Sequence, residues 1–150
     1  MLNNMVKKFL SQNGWLCSDA DSEYDRVIQK LGIPIDSDFA EFHRFTTEIS
    51  FSTSKAAEVM NICWFYLYSD FDKLIKSLWE KRPWGNLSKN YIPFSHYSGD
   101  SILLYDVLSE GVYYVNDAEI NDILIGKLEP RWKSFNEFLE YYFDIRESDV

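Results

Sequence analysis

Histidine and cysteine are scarce in this chain, and that scarcity limits its chemistry. Two of each occur in 150 residues: His43, His96, Cys17 and Cys63. They form no CxxC, HxxxH or HExxH spacing, so no recognisable zinc site is present. P-loop, GxGxxG and GxSxG runs are also missing, and with them the usual signatures of nucleotide binding and serine hydrolysis. No metal or cofactor is expected. The longest strongly apolar run, Ile62–Tyr68, is far too short for a bilayer. The opening MLNNMVKKFL has no apolar core of a secretory signal. These absences predict a cytoplasmic protein with reduced thiols and no membrane partner. Cys63, inside an apolar run, is expected to be a small buried hydrophobe.

Positive charge is missing from one long stretch. Between Asp100 and Asp122 there are six acids (Asp100, Asp106, Glu110, Asp117, Glu119, Asp122) and no Lys or Arg. Residues 1–96 carry 12 acids and 11 bases, whereas 97–150 carry 12 acids and 4 bases. The formal charge is −9. Such a surface repels phosphate backbones, so nucleic acid is disfavoured and a cationic protein favoured.

Core material, by contrast, is plentiful. The chain is 46% hydrophobic and 17% aromatic, which excludes disorder and suits one domain over 1–150. Leu2–Ser11 reads as a short amphipathic helix. Tyr24, Val27, Ile28 and Leu31 recur at helix spacing and stop at Gly32, giving a helix near 21–31. Asp36 reads as the N-cap of a helix over 36–47. Val59–Tyr68, rich in Ile, Trp, Phe and Tyr, reads as a buried strand. Phe71, Leu74, Ile75, Leu78 and Trp79 predict a helix over 70–81, ended by Pro83 and Gly85.

Three strands follow, near 91–95, 101–107 and 112–117. Ile123–Leu128 reads as a further short strand. Ser134 and Glu137 form a capping box for a helix over 134–145, with Phe135, Phe138, Leu139, Tyr142 and Phe143 along one stripe. Alternation puts Ile102, Leu104 and Asp106 on one face of their strand and Leu103, Tyr105 and Val107 on the other. Both faces are apolar, so this strand should be central. Short connections between the late strands favour antiparallel pairing. The predicted class is α+β, with helices packed on one antiparallel sheet that includes 59–68.

Four segments resemble the SUKH superfamily, the group that includes cell-wall glucan synthesis regulators and many bacterial toxin-immunity proteins. Leu31-Gly32-Ile33-Pro34 with Phe39 and Phe42 resembles the family's first motif, where one helix ends and the next begins. Ile92-Pro93-Phe94 with Gly99-Asp100 resembles the second, before a strand. Gly111-Val112-Tyr113 is similar to its strand start, and Ser134-Phe135 with Glu137-Phe138-Leu139 to its terminal helix. The matches run in family order from 24 to 143. Where members often carry an Asn-Gly-Gly-like turn, this chain reads Phe45-Thr46-Thr47-Glu48.

The resemblance implies a non-enzymatic immunity-type protein that neutralises a cognate toxin by occupying its active or substrate site. A regulatory scaffold is the alternative role. The expected partner surface is Asp100, Asp106, Glu110, Asp117 and Glu119, with Tyr97 or Tyr113 as an aromatic anchor. A third reading is a small hydrolase using His96 with Asp100 or Asp106. His43, one turn after Phe39, is expected to be a satisfied, partly buried histidine.

Overall fold

The computed structural model describes residues 1–80 and 85–146. Three helices open the chain: α1 (Asn4–Gln12), α2 (Ser22–Lys30) and α3 (Asp38–Phe45). Two short strands, β1 (Ser50–Phe51) and β2 (Val59–Met60), pair antiparallel. Helices α4 (Ile62–Tyr68) and α5 (Phe71–Glu80) follow. A three-stranded antiparallel sheet comes next, ordered β3 (Tyr91–Pro93), β4 (Ile102–Asp106), β5 (Val112–Val115). A 3₁₀ turn (Asp117–Glu119), α6 (Ile120–Leu124) and α7 (Phe135–Tyr142) complete it. Among the described residues no helix is long and apolar enough to cross a membrane.

The α+β class and the antiparallel sheet over the late strands agree with the sequence, and β4 is central with all five residues buried. Its alternation sorts two cores. Leu103 and Tyr105 enter a large cluster with Phe39, Phe42, Phe135 and Phe138. Ile102 and Leu104 enter a smaller one with Leu78, Leu87, Ile120 and Ile123. Val107 packs on the first, as alternation requires. The Phe39 ring stacks on Tyr105 with centroids 4.1 Å apart.

Three assignments are corrected. The run 59–68 is not a strand of the central sheet: only Val59–Met60 is extended, and it pairs with β1. Asn61 then caps α4, its side-chain oxygen accepting the Cys63 and Trp64 N–H groups at 3.0 and 3.2 Å. Its amide donates to the His43 carbonyl at 3.0 Å and to Thr46 Oγ1 at 3.1 Å. A side chain that satisfies two first-turn donors starts a helix despite the β-rich composition after it. Ile123–Leu128 likewise is no strand, since α6 occupies Ile120–Leu124. The cap of α3 is Ser37 rather than Asp36; its hydroxyl accepts the Ala40 N–H at 3.1 Å. Pro83, expected to end α5, lies outside the described residues.

Buried polar groups tie the helices together. Asp38 accepts the Phe39 N–H at 2.8 Å and the Asn136 N–H at 3.0 Å, joining the first turns of α3 and α7. Burial raises its carboxyl above the ordinary range, against the lowering effect of those two bonds. His43 is fully buried, and its Nδ1 accepts the Ile62 N–H at 3.1 Å. Its Nε2 has no hydrogen-bond partner among the described residues. Desolvation pushes this imidazole down to about 3, so it is neutral in the folded protein at neutral pH. Tyr142 Oη accepts the Val59 N–H at 3.3 Å and lies 2.8 and 3.0 Å from the Phe51 and Ala57 carbonyls. It pins the β1–β2 loop to α7.

Candidate functional site

The turn ahead of β4 is held by its backbone. Ser98 and Ser101 exchange N–H···O bonds at 2.8 and 3.1 Å. Gly99 sits at φ +61°, where a side chain is strained. Asp100 is exposed, with its carboxylate 3.3 Å from Ser101 Oγ. Beside it, Tyr97 is 43% exposed. His96, Tyr97 and Ser98 line a groove of about 240 Å³ with Ala57, Glu58 and Met60.

The hairpin register divides the acidic run. Val115 pairs with Ile102, so the chain leaving β5 returns to the end that carries Asp100. Asp117 and Glu119 therefore leave from that end, on the 3₁₀ turn, and Asp122 follows within one turn on α6. Glu119 is partly committed, since its Oε1 accepts the Asn116 N–H at 3.2 Å. Glu110 lies beyond Asp106, at the opposite end of β4. The five residues of β4 separate the two ends by about 13 Å.

Two predicted partner residues are interior. Asp106 is only 6% exposed. Its Oδ1 accepts from Asn90 Nδ2 at 2.7 Å and the Leu108 N–H at 2.9 Å, and its Oδ2 from Ser109 Oγ at 2.7 Å. This carboxylate latches the β4–β5 turn from the interior. Tyr113 is 5% exposed and packs edge-on against Tyr91 in the smaller core. Burial raises its hydroxyl above the ordinary range. Of the two predicted anchors, only Tyr97 reaches the surface. Glu58, across the groove from Tyr97, joins the acidic end from a loop whose sequence carries no signal for it.

The His96 ring lies against Phe71 at 5.8 Å and Phe65 at 6.2 Å. Asp106 is at the far end of β4, so the pair proposed for hydrolysis is not assembled. Asp100 shares the His96 turn, but the structure records no hydrogen bond between them. Among the described residues no three His, Cys, Asp or Glu side chains converge to hold a metal ion.

Gly111 marks another tight contact. A Cβ there would fall 2.7 Å from the Pro130 side chain. The following Val112 exchanges backbone bonds with Trp132, its N–H donating to Trp132 O at 2.9 Å. The Gly-Val-Tyr start of β5 is thus covered by the segment leading into α7. The segments that carried the resemblance occupy distinct structural roles: the α2–α3 link, β3 with its acidic turn, the start of β5, and α7. No curated protein and no solved structure matches the chain. Residues 20–141 match the model of the SMI1 / KNR4 family (SUKH-1), and the chain belongs to that family.

Proposed function

We propose that this chain is a non-enzymatic, immunity-type binding protein. It neutralises a cognate toxin that acts on nucleic acid and presents a basic substrate surface. Membership of the SUKH-1 family supports a partner-binding role. What supports the finer reading is that Asp117, Glu119 and Asp122 follow β5 from the end that carries Asp100, while Glu58 lines the groove of exposed Tyr97. Carboxylates arranged this way compete with phosphates for a basic groove and steer encounter. Tyr97 supplies the buried aromatic contact that charge alone lacks. Glu110, at the far end of β4, stands outside this face. The reading places the protein in the cytoplasm with its toxin.

Co-expression with toxin genes neighbouring its own gene tests the proposal. Growth should be restored by the wild-type chain. It should fail, or need far more protein, with Asp100→Lys, Asp117→Lys and Asp122→Lys combined. Glu110→Lys should protect fully. Capture of cell-wall synthesis enzymes with no toxin, or equal protection by the triple variant, would contradict the reading. The first of those results would favour a regulatory scaffold.

A further inference from the structure

A second surface has the opposite charge. Two adjoining depressions, each of about 360 Å³, meet at Lys30 and Tyr66 and together make a furrow along α2, α4 and α5, crossed by the Lys30–Tyr66 contact. Its apolar wall includes Val27 of α2 and Leu31 just after it, Tyr66 and Leu67 from α4, and Ile75 and Trp79 from α5. Its mouth is basic: Arg26, Lys30, Lys76 and Lys89 are all exposed there, against the acids Glu23 and Asp72. Four cations to two carboxylates is a local inversion in a chain of net charge −9.

The ammonium groups of Lys30 and Lys89 lie over the Tyr66 and Trp79 rings at 5.4 and 5.8 Å. Among the described residues only Lys76 of these four reaches a carboxylate, Asp72, at 4.0 Å. Lys7 and Arg44, elsewhere, pair at 3.1 and 2.7 Å. The furrow cations therefore remain largely available to an anionic ligand.

Shape narrows the occupant. Lining residues run along α2 from Glu23 to its C-cap Leu31, about 12 Å at 1.5 Å per residue. On α5 they recur at Asp72, Ile75, Lys76 and Trp79, the spacing of one helix face. A channel two turns long, apolar below and basic along the mouth, complements a helix more than a compact small molecule. We propose that this furrow receives a short amphipathic helix of a partner protein, apolar towards Tyr66 and Trp79 and acidic along its flanks. The proposal does not depend on the toxin-neutralising reading, because it uses a different surface.

The probe is a labelled synthetic peptide of about three helical turns, with leucines along one face and glutamates on the others. Its controls are a scrambled peptide of the same composition and inorganic pyrophosphate. Fluorescence anisotropy with the full chain at low salt should show saturable binding of the amphipathic peptide, at least about tenfold tighter than the scrambled one. Lys30→Glu with Lys76→Glu should weaken that binding at least about tenfold, and added salt should do the same. Leu67→Ser should weaken it without removing a charge. The acidic-end variant Asp100→Lys/Asp117→Lys/Asp122→Lys should bind the peptide as wild type does. Circular dichroism and a urea midpoint near wild type establish that each variant is folded.

Equal affinity for the scrambled peptide would overturn the proposal. So would an unchanged affinity in the folded double reversal. Displacement of the peptide by pyrophosphate at comparable concentration would assign the furrow to a small anion instead. Self-association that disappears in Lys30→Glu/Lys76→Glu would assign it to the acidic end of a second copy.

Discussion

Asn61→Ala is the sharpest test of why α4 exists. Asn61 is 1% exposed and uses both sides of its amide. Removing the oxygen leaves the Cys63 and Trp64 N–H groups uncapped, a loss of about 1 kcal/mol. Removing the nitrogen orphans the buried His43 carbonyl, which costs about 1–3 kcal/mol. The bond to Thr46 Oγ1 is lost with it. The expected total is about 2–4 kcal/mol. With a urea slope of about 2 kcal/mol/M, the unfolding midpoint should fall by roughly 1–2 M.

Tryptophan fluorescence suits the measurement, because Trp64 lies on α4 itself. Asn61→Asp separates the two contributions. Aspartate caps as well as asparagine, but it cannot donate to His43 O, and it buries a charge there. It should be worse than alanine at neutral pH. A loss below about 1 kcal/mol for Asn61→Ala, or an Asn61→Asp variant as stable as wild type, would refute the argument that this one side chain starts the helix.

Other outcomes follow from the same packing. Phe138→Ala or Leu139→Ala should each cost about 2–5 kcal/mol in a denaturant melt, since both are fully buried between α7 and the sheet. A loss under about 1 kcal/mol would make α7 peripheral. His43 should give the stability curve an acid limb. Its pKa falls from 6.5 unfolded to about 3 folded, so the unfolded chain takes up the extra proton. Its contribution is complete above pH 6.5 and is lost towards pH 3, at up to about 1.4 kcal/mol per pH unit. Asp38, raised by burial, acts with the opposite sign, but it is common to wild type and variant. His43→Phe should therefore be less stable at neutral pH yet show a flatter acid limb, and parallel pH profiles would contradict this. We also propose that 1–150 unfolds as one unit, because Leu74 and Trp79 pack on both core clusters. Calorimetry should then show one transition, and two separated peaks would divide the chain into domains.

The readable parts of the sequence were those where one local pattern had one structural solution. Alternation in Ile102–Asp106 predicted both core faces of β4. The α7 stripe and its Ser134 cap were equally plain: Glu137 N donates to Ser134 Oγ at 3.1 Å, although the Glu137 carboxylate accepts the Lys133 N–H at 3.1 Å instead of completing the box on Ser134. Ile62–Tyr68 was unreadable because a short, continuous apolar run has no period to separate helix from strand. There the decisive residue was Asn61, one polar side chain ahead of the run.

The acidic stretch misled in another way. Consecutive acids in sequence suggested one face, but a hairpin sends its turn and its ends to opposite places. Asp106 lost its place to a turn whose donors, Asn90 and Ser109, become neighbours only after the strands pair. Tyr113 lost its place by register, opposite Leu104 and facing the smaller core. Glu58 is brought to Tyr97 by tertiary folding alone.

The proposed role rests on the acidic end of the hairpin meeting a basic toxin, and stopped-flow association measures that contact most directly. With the captured toxin at low salt, wild type should associate fast, and its rate should fall steeply as salt rises. Asp100→Lys/Asp117→Lys/Asp122→Lys should associate at least about tenfold more slowly with a flattened salt dependence, while Glu110→Lys keeps the wild-type rate. An unchanged on-rate in the folded triple variant would mean that these carboxylates only face solvent and that the toxin binds elsewhere.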